Sequence, residues 1–351
     1  MKPTIIFLTL ALALPTLAQR RRPTTPVAFP GCTVVNGTPA VTFTRDEGRT
    51  LTHVAQPLSG IGYTYGLAAL DTPGVMLSWH KTTLSISNDF GCTWQPLGDW
   101  STEFPPTITP ARGGRAYAWS DNRQFLLRYD ARGPQLLKPP AVFVGLGTDG
   151  DRVRAGDDQG ALWESNDDGD TWTQIAHLPK DANFIYRVSF DPQNLDHIVA
   201  GTAVKGAYVT FDAGRNWTRT SLGDNFNVMN FAMSPVDSNV VWAMAVDGRD
   251  SLHAIYHSSD GGRTFTEVTR ASAEVTVINQ PVMAAHPTNP DILYFVFGTR
   301  FQNYGTDLFR VDAQGHVTLT HNANDDVNSI AFSPYDPTVM YLGLETEKGV
   351  Q

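Results

Sequence analysis

Seven aspartates, Asp46, Asp89, Asp130, Asp167, Asp212, Asp260 and Asp312, recur 37 to 52 residues apart, each followed within three residues by a glycine. Carboxylates on such a period could serve three chemistries: metal ligation, general acid–base work, or hydrogen bonding to the backbone of a turn. Their neighbours separate these. Four copies read Ser/Thr-x-Asp-x-Gly-x-Thr/Asn-aromatic, from Ser87 to Trp94, Ser165 to Trp172, Thr210 to Trp217 and Ser258 to Phe265. A fifth, Thr44 to Leu51, lacks only the aromatic, and the copies from Asp130 to Gly133 and Asp312 to Gly315 carry one extra residue before the glycine. The glycine supplies the positive φ of a tight turn, the carboxylate accepts N–H groups across it, and the aromatic packs on a neighbouring unit. The most acidic copy, Glu164 to Asp170, lacks the EF-hand ligand series and its closing glutamate, so no metal is expected. The seven aspartates read as structural, and no catalytic residue is assigned.

Other chemistry finds no support in the spacing. His253 and His257 would lie ~13 Å apart on a strand, too far to chelate together. No Gly-x-Ser-x-Gly elbow, phosphate-binding glycine loop or Cys-x-x-Cys pair occurs, and no cofactor is expected.

The elements that carry these turns follow from a second phrase. Phe190-Asp-Pro192, Met233-Ser-Pro235, Ala285-His-Pro287 and Phe332-Ser-Pro334 each precede an apolar run such as Ile292 to Val296. Proline there ends a strand, so each unit reads as inner strand, Pro/Asp turn, second strand, loop, third strand, Asp turn and outer strand. Four antiparallel strands per 37 to 52 residues is the period of a propeller blade. The 28 Asp against 7 Glu agree, since Asp favours turns and Glu favours helices. The expected fold is all-β, a seven-bladed β-propeller of four-stranded blades. Ser329 to Leu344 would give the inner pair of the last blade and residues 40–57 its outer pair, closing the ring between the chain ends.

The first residues form a separate unit. Lys2, the apolar run Ile5 to Leu14 and Thr16-Leu17-Ala18 read as a signal peptide over residues 1–18, cleaved after Ala18. Residues 19–39 read as a flexible segment and residues 40–351 as a single propeller. The expected location is secreted or periplasmic. An even pair of cysteines, Cys32 and Cys92, in an oxidising compartment suggests one disulfide. A net charge of −9 argues against nucleic acid. No later stretch approaches the ~20 apolar residues of a membrane helix. A monomer is expected.

The Asp boxes, with Phe332 to Pro337, resemble the Asp-box or BNR-repeat propellers: sialidases, xyloglucan-degrading enzymes, sortilin ectodomains and Ycf48-like photosystem assembly factors. The resemblance spans residues 40–345 and implies the fold more than an activity. The Arg-Ile-Pro motif that a sialidase would carry is absent. Strand alternation puts the Asp boxes and Pro/Asp turns on one face and the longer loops on the other. That second face is the expected binding mouth, with Tyr63, Tyr65, Trp100, Tyr186, Arg187, Asn227, Asn230, Arg300, Tyr304 and Asp325. Aromatics mixed with Asn, Asp and Arg suit a protein or glycan partner. The resulting expectation is a non-catalytic protein-binding or assembly scaffold. The alternatives are a glycan-binding module and a glycoside hydrolase, sialidase-like, with Asp325 or Asp326 as acid and Arg187 or Arg300 as substrate grip.

Overall fold

The computed structural model describes residues 32–37, 41–55, 64–102, 106–277, 282–297, 306–323 and 325–346. The signal-peptide reading at residues 1–18 lies outside them. Six sheets each contain four antiparallel strands in sequence order. Blade I holds Thr64–Ala69, Met76–His80, Thr83–Ser87 and Gln95–Asp99, and blade II holds Thr107–Ala111, Arg115–Trp119, Leu126–Asp130 and Gly133–Leu137. Blade III is Phe143–Asp149, Arg152–Asp157, Ala161–Ser165 and Thr173–His177; blade IV is Ile185–Asp191, Asn194–Thr202, Ala207–Thr210 and Thr218–Arg219. Blade V is Phe226–Met233, Val241–Asp247, Leu252–Ser258 and Thr266–Arg270; blade VI is Met283–Ala285, Ile292–Phe297, Thr306–Asp312 and Val317–Ala323. The first strand of every blade touches the first strand of the next, and Asp325–Phe332 of blade VII touches Thr64–Ala69 of blade I, so the chain is a closed seven-bladed β-propeller.

Blade VII is the closure. Asp325–Phe332 pairs with Met340–Thr346, which pairs in turn with Val41–Thr44 from the other end of the chain, Phe43 opposite Tyr341. Residues 40–57 were expected to supply both outer strands. Val41–Thr44 is the third strand, and the chain then returns beside it, Thr52 N–H donating to the Phe43 carbonyl at 3.1 Å. His53–Val54 instead pairs in parallel with Val34–Val35. The end of the segment expected to be flexible is therefore strapped down. Val35 is fully buried, Asn36 N–H donates to the Cys92 carbonyl, and Cys32 is disulfide-bonded to Cys92 beside the Asp-box turn of blade I.

The cores lie between blades. Trp119 and Phe143 share one cluster across blades II and III, Val228 and Val209 another across IV and V, and Tyr294 and Leu342 a third across VI and VII. Second strands are covered on both sides, which is why Val241–Asp247 reads as an almost unbroken apolar run. Close blade approach demands small residues at particular points: a Cβ on Gly145 would lie 1.7 Å from the Val188 carbonyl oxygen of blade IV.

At Asp89 the carboxylate accepts the Thr93 N–H and the Ser87 hydroxyl at 2.8 Å and the Thr93 hydroxyl at 2.6 Å, while Ser87 Oγ accepts the Gly91 N–H. Asp46, Asp167, Asp212 and Asp260 repeat this pattern. Asp130 departs from it. Its strand is linked to the next by the two-residue turn Ala131–Arg132, with Asp130 opposite Gly133, and its carboxylate takes the Arg132 N–H and the Arg128 and Arg132 guanidinium groups. The cause is local: Arg128 occupies the place of the box serine, and the glycine comes one residue late. Asp312 keeps the long-range bond, accepting the His316 N–H at 2.9 Å.

Candidate functional site

The residue after the box aspartate takes positive φ, as at Glu47 (62°), Phe90 (62°), Asp168 (59°) and Ala213 (62°). That conformation turns it toward the preceding blade. Asp168 meets Arg115 of blade II, and Glu47 meets blade VI, where Tyr294 Oη donates to its carboxylate at 2.7 Å and Arg310 Nε lies at 3.3 Å. Arg49 pairs with the other Glu47 oxygen at 3.3 Å. Above these groups a cavity of about 420 Å³ opens on the Asp-box face, at the seam of blades VI and VII, lined by Arg45, Arg49, His286, Tyr294, Phe332 and Met340 among others. His286 Nδ1 accepts the Thr288 and Asn289 N–H groups, both at 3.1 Å, which leaves the ring proton on Nε2. Burial holds His286 below its ordinary value, with Glu47 opposing, and the imidazole is neutral at pH 7. Burial, with the Glu47 hydrogen bond added, pushes the Tyr294 phenol well above its ordinary range. Tyr294 is thus a protonated donor to Glu47.

The opposite face is the mouth expected from the sequence. Among the ten residues named for it, Tyr63, Arg300 and Tyr304 lie outside the described residues. Tyr65 and Asp325 sit on the inner strands Thr64–Ala69 and Asp325–Phe332, and their side chains are outside the description. Trp100 packs against Trp79 with ring centroids 5.7 Å apart and lies over Gly98, so much of its ring belongs to the wall of the blade I–II core. Tyr186 is half-buried. Asn227 Oδ1 accepts the Val204 N–H at 3.1 Å, and Asn230 Oδ1 accepts the Phe231 N–H at 2.9 Å, so both shape backbone. Arg187 holds its guanidinium 5.1 Å from the Trp119 ring centroid, where desolvation pulls its pKa down against the pull of Asp121. The fold thus distributes the described ones among different blades, and Trp100, Asn227 and Asn230 serve packing and turns.

The mouth also carries two residues that sequence reasoning passed over. Phe184 is 77% exposed with φ 46°, and Val204 is 53% exposed with φ 65°. The signal was present, since each is the one large apolar residue of a short loop, Lys180 to Phe184 and Ala203 to Gly206. The seam cavity had a fainter signal, a glutamate directly after a box aspartate, and its neighbours His286 and Tyr294 lie 239 and 247 positions further along the chain. Among the described residues no cluster of three or more His, Cys, Asp or Glu could hold a metal ion, and no helix is long and apolar enough to cross a membrane.

The chain resembles known proteins at three levels. The model of the Sortilin-Vps10 family, described as sortilin and neurotensin receptor 3, matches residues 160–337. Among solved structures, the GH74 xyloglucanase from Xanthomonas campestris superposes with a TM-score of 0.61 at 17% identity, covering 82% of this chain and 52% of that one. The chain thus spans about half the length of that enzyme, and at such identity the likeness is one of fold alone. YCF48 from Cyanidioschyzon merolae superposes with a TM-score of 0.59 at 11% identity, covering 82% of this chain and 97% of that one. A curated protein from Streptomyces mobaraensis, the dispase autolysis-inducing protein, is 42% identical over 357 aligned positions, which cover 96% of this chain and 95% of the relative. The chain therefore belongs to the Sortilin-Vps10 propellers and to the family of the dispase autolysis-inducing protein.

Proposed function

We propose that this protein is an exported, monomeric propeller without catalytic activity that binds a protease of the dispase kind and promotes the protease's digestion of itself. The observation that carries the reading is the 42% identity to the dispase autolysis-inducing protein across nearly the whole of both chains. Two features of the molecule favour binding over turnover. The box carboxylates are occupied by their own turns, as at Asp89 and Asp260, and so are not available as acids or nucleophiles. The Glu47 carboxylate that accepts from Tyr294 is also paired with Arg310 and Arg49, so both of its oxygens are engaged in holding the seam together.

The test incubates the purified chain with dispase and follows intact protease by gel and its fragments by mass spectrometry. Loss of full-length dispase should accelerate at least several-fold, with cuts at the sites dispase makes alone, and catalytically inactive dispase should stay whole. No acceleration would overturn the protein-partner reading. Cleavage of the inactive protease, or turnover of xyloglucan or a sialoside by the purified chain, would overturn the non-catalytic one.

A further inference from the structure

We propose that Phe184 and Val204, side by side on the mouth face of blade IV, form the apolar contact by which the propeller grips its protease partner. The inference rests on the protein-partner reading above. Phe184 immediately precedes the strand Ile185–Asp191, and Val204 lies just beyond the strand Asn194–Thr202 that pairs with it, so the ladder brings the two loops together. The Ala203 N–H donates to the Phe184 carbonyl at 3.0 Å.

Both residues hold left-handed backbone, φ 46° at Phe184 and 65° at Val204. For a bulky or β-branched side chain this is strained, and neither loop uses glycine or asparagine at the point where either would relieve it. The strain at Val204 is enforced from all sides. Lys205 N–H donates to the Ala203 carbonyl at 2.7 Å across it, closing a tight three-residue turn. Its own N–H is taken by Asn227 Oδ1 at 3.1 Å and its carbonyl by the Asn225 N–H at 2.7 Å. The Gly206 N–H then donates to the Phe226 carbonyl at 3.0 Å, tying the loop to blade V.

The folded chain gains little packing in return, because the two side chains are 77% and 53% exposed. Backbone strain that presents apolar groups to solvent destabilises the free protein, and it is offset only by the apolar burial gained when something covers them. A pre-ordered apolar anchor of this kind loses little freedom on binding, which is the property of an interface hot spot. The charges around it favour an apolar protein surface over an ionic one. Asp224 takes Lys205 at 3.4 Å and Arg219 at 2.8 Å, so the rim is neutralised within the chain, and the net charge of −9 disfavours an anionic surface. The fitting partner is a folded protease with an apolar depression that receives the two side chains.

The experiment compares the wild type with Phe184→Asn, Val204→Asn and the double variant, since asparagine accepts left-handed backbone and removes the apolar group. Binding to catalytically inactive dispase is measured by calorimetry, acceleration of dispase self-digestion by gel, Tm by scanning calorimetry and mass in solution by light scattering. The expected result is binding weakened ten-fold or more in the double variant, acceleration reduced in parallel, and Tm of Val204→Asn equal to or above that of the wild type. Variants that bind and accelerate like the wild type overturn this contact and leave the protein-partner reading standing. A lowered Tm for Val204→Asn overturns the strain argument on which the contact rests. A wild-type dimer that the substitutions dissolve reassigns the patch to self-association and overturns the proposal. A wild-type chain that does not engage dispase overturns both readings.

Discussion

Tyr294, on the second strand of blade VI, donates a 2.7 Å hydrogen bond to Glu47, which lies 247 positions earlier in the chain. The bond crosses the seam where the ends of the chain meet, so it ties the Asp-box turn of blade VII to the body of the ring. Tyr294→Phe should cost about 1.5 kcal/mol, at the low end for a bond to a charged acceptor because Arg310 and Arg49 still hold Glu47. The check is a double-mutant cycle with Glu47→Ala in urea denaturation. Strictly additive losses would show that the bond contributes nothing to closure.

The Cys32–Cys92 disulfide joins residues 60 positions apart and fixes the N-terminal strap to blade I. Loop-closure entropy for that separation corresponds to about 4 kcal/mol. A Cys32→Ala/Cys92→Ala double variant should lower the guanidinium midpoint accordingly while keeping the far-ultraviolet spectrum of the propeller. An unchanged midpoint would mean that Val34–Val35 and its pairing hold the strap without the bridge.

Acid should expose the role of the box carboxylates. Asp212 is held down to about 2, from an ordinary 3.8, by the Asn216 side chain and N–H and then by Thr210. Because its folded value is depressed, the stability it contributes is present above about pH 4 and is lost as pH falls through about 2. Asp212→Asn should flatten the dependence of the urea midpoint on pH within that window and leave the slope above pH 5 unchanged. Equal slopes in both proteins would show that the turn bonds do not favour the ionised form.

Blade spacing has its own test. A methyl group on Gly145 would sit 1.7 Å from the Val188 carbonyl oxygen, and backbone cannot yield as a side chain can. Gly145→Ala should therefore cost more than about 4 kcal/mol or prevent folding, whereas Gly133→Ala, with nothing within 4 Å of the added Cβ, should lose only what its φ of 90° imposes. Similar losses at both positions would refute the close approach of blades III and IV.

The period of Asp, Gly and aromatic residues was enough to set the architecture, because each box is a local hydrogen-bond pattern complete within eight residues, as Ser87 to Trp94 shows. The same locality makes the strand count, the direction of each turn and the two faces readable along the chain. Asp130 marks the limit of that reading, since one shifted glycine and one arginine in place of serine convert a box into a two-residue hairpin. What only the tertiary structure decided is which residues meet across distance. Glu47 finds Tyr294, Trp100 turns into the wall of Trp79, and Asn227 shapes the loop that presents Val204. These outcomes depend on the angle and spacing between neighbouring blades. Those follow from how side chains such as Trp119 and Phe143 fill the interface between sheets, a many-body packing result that no local pattern encodes.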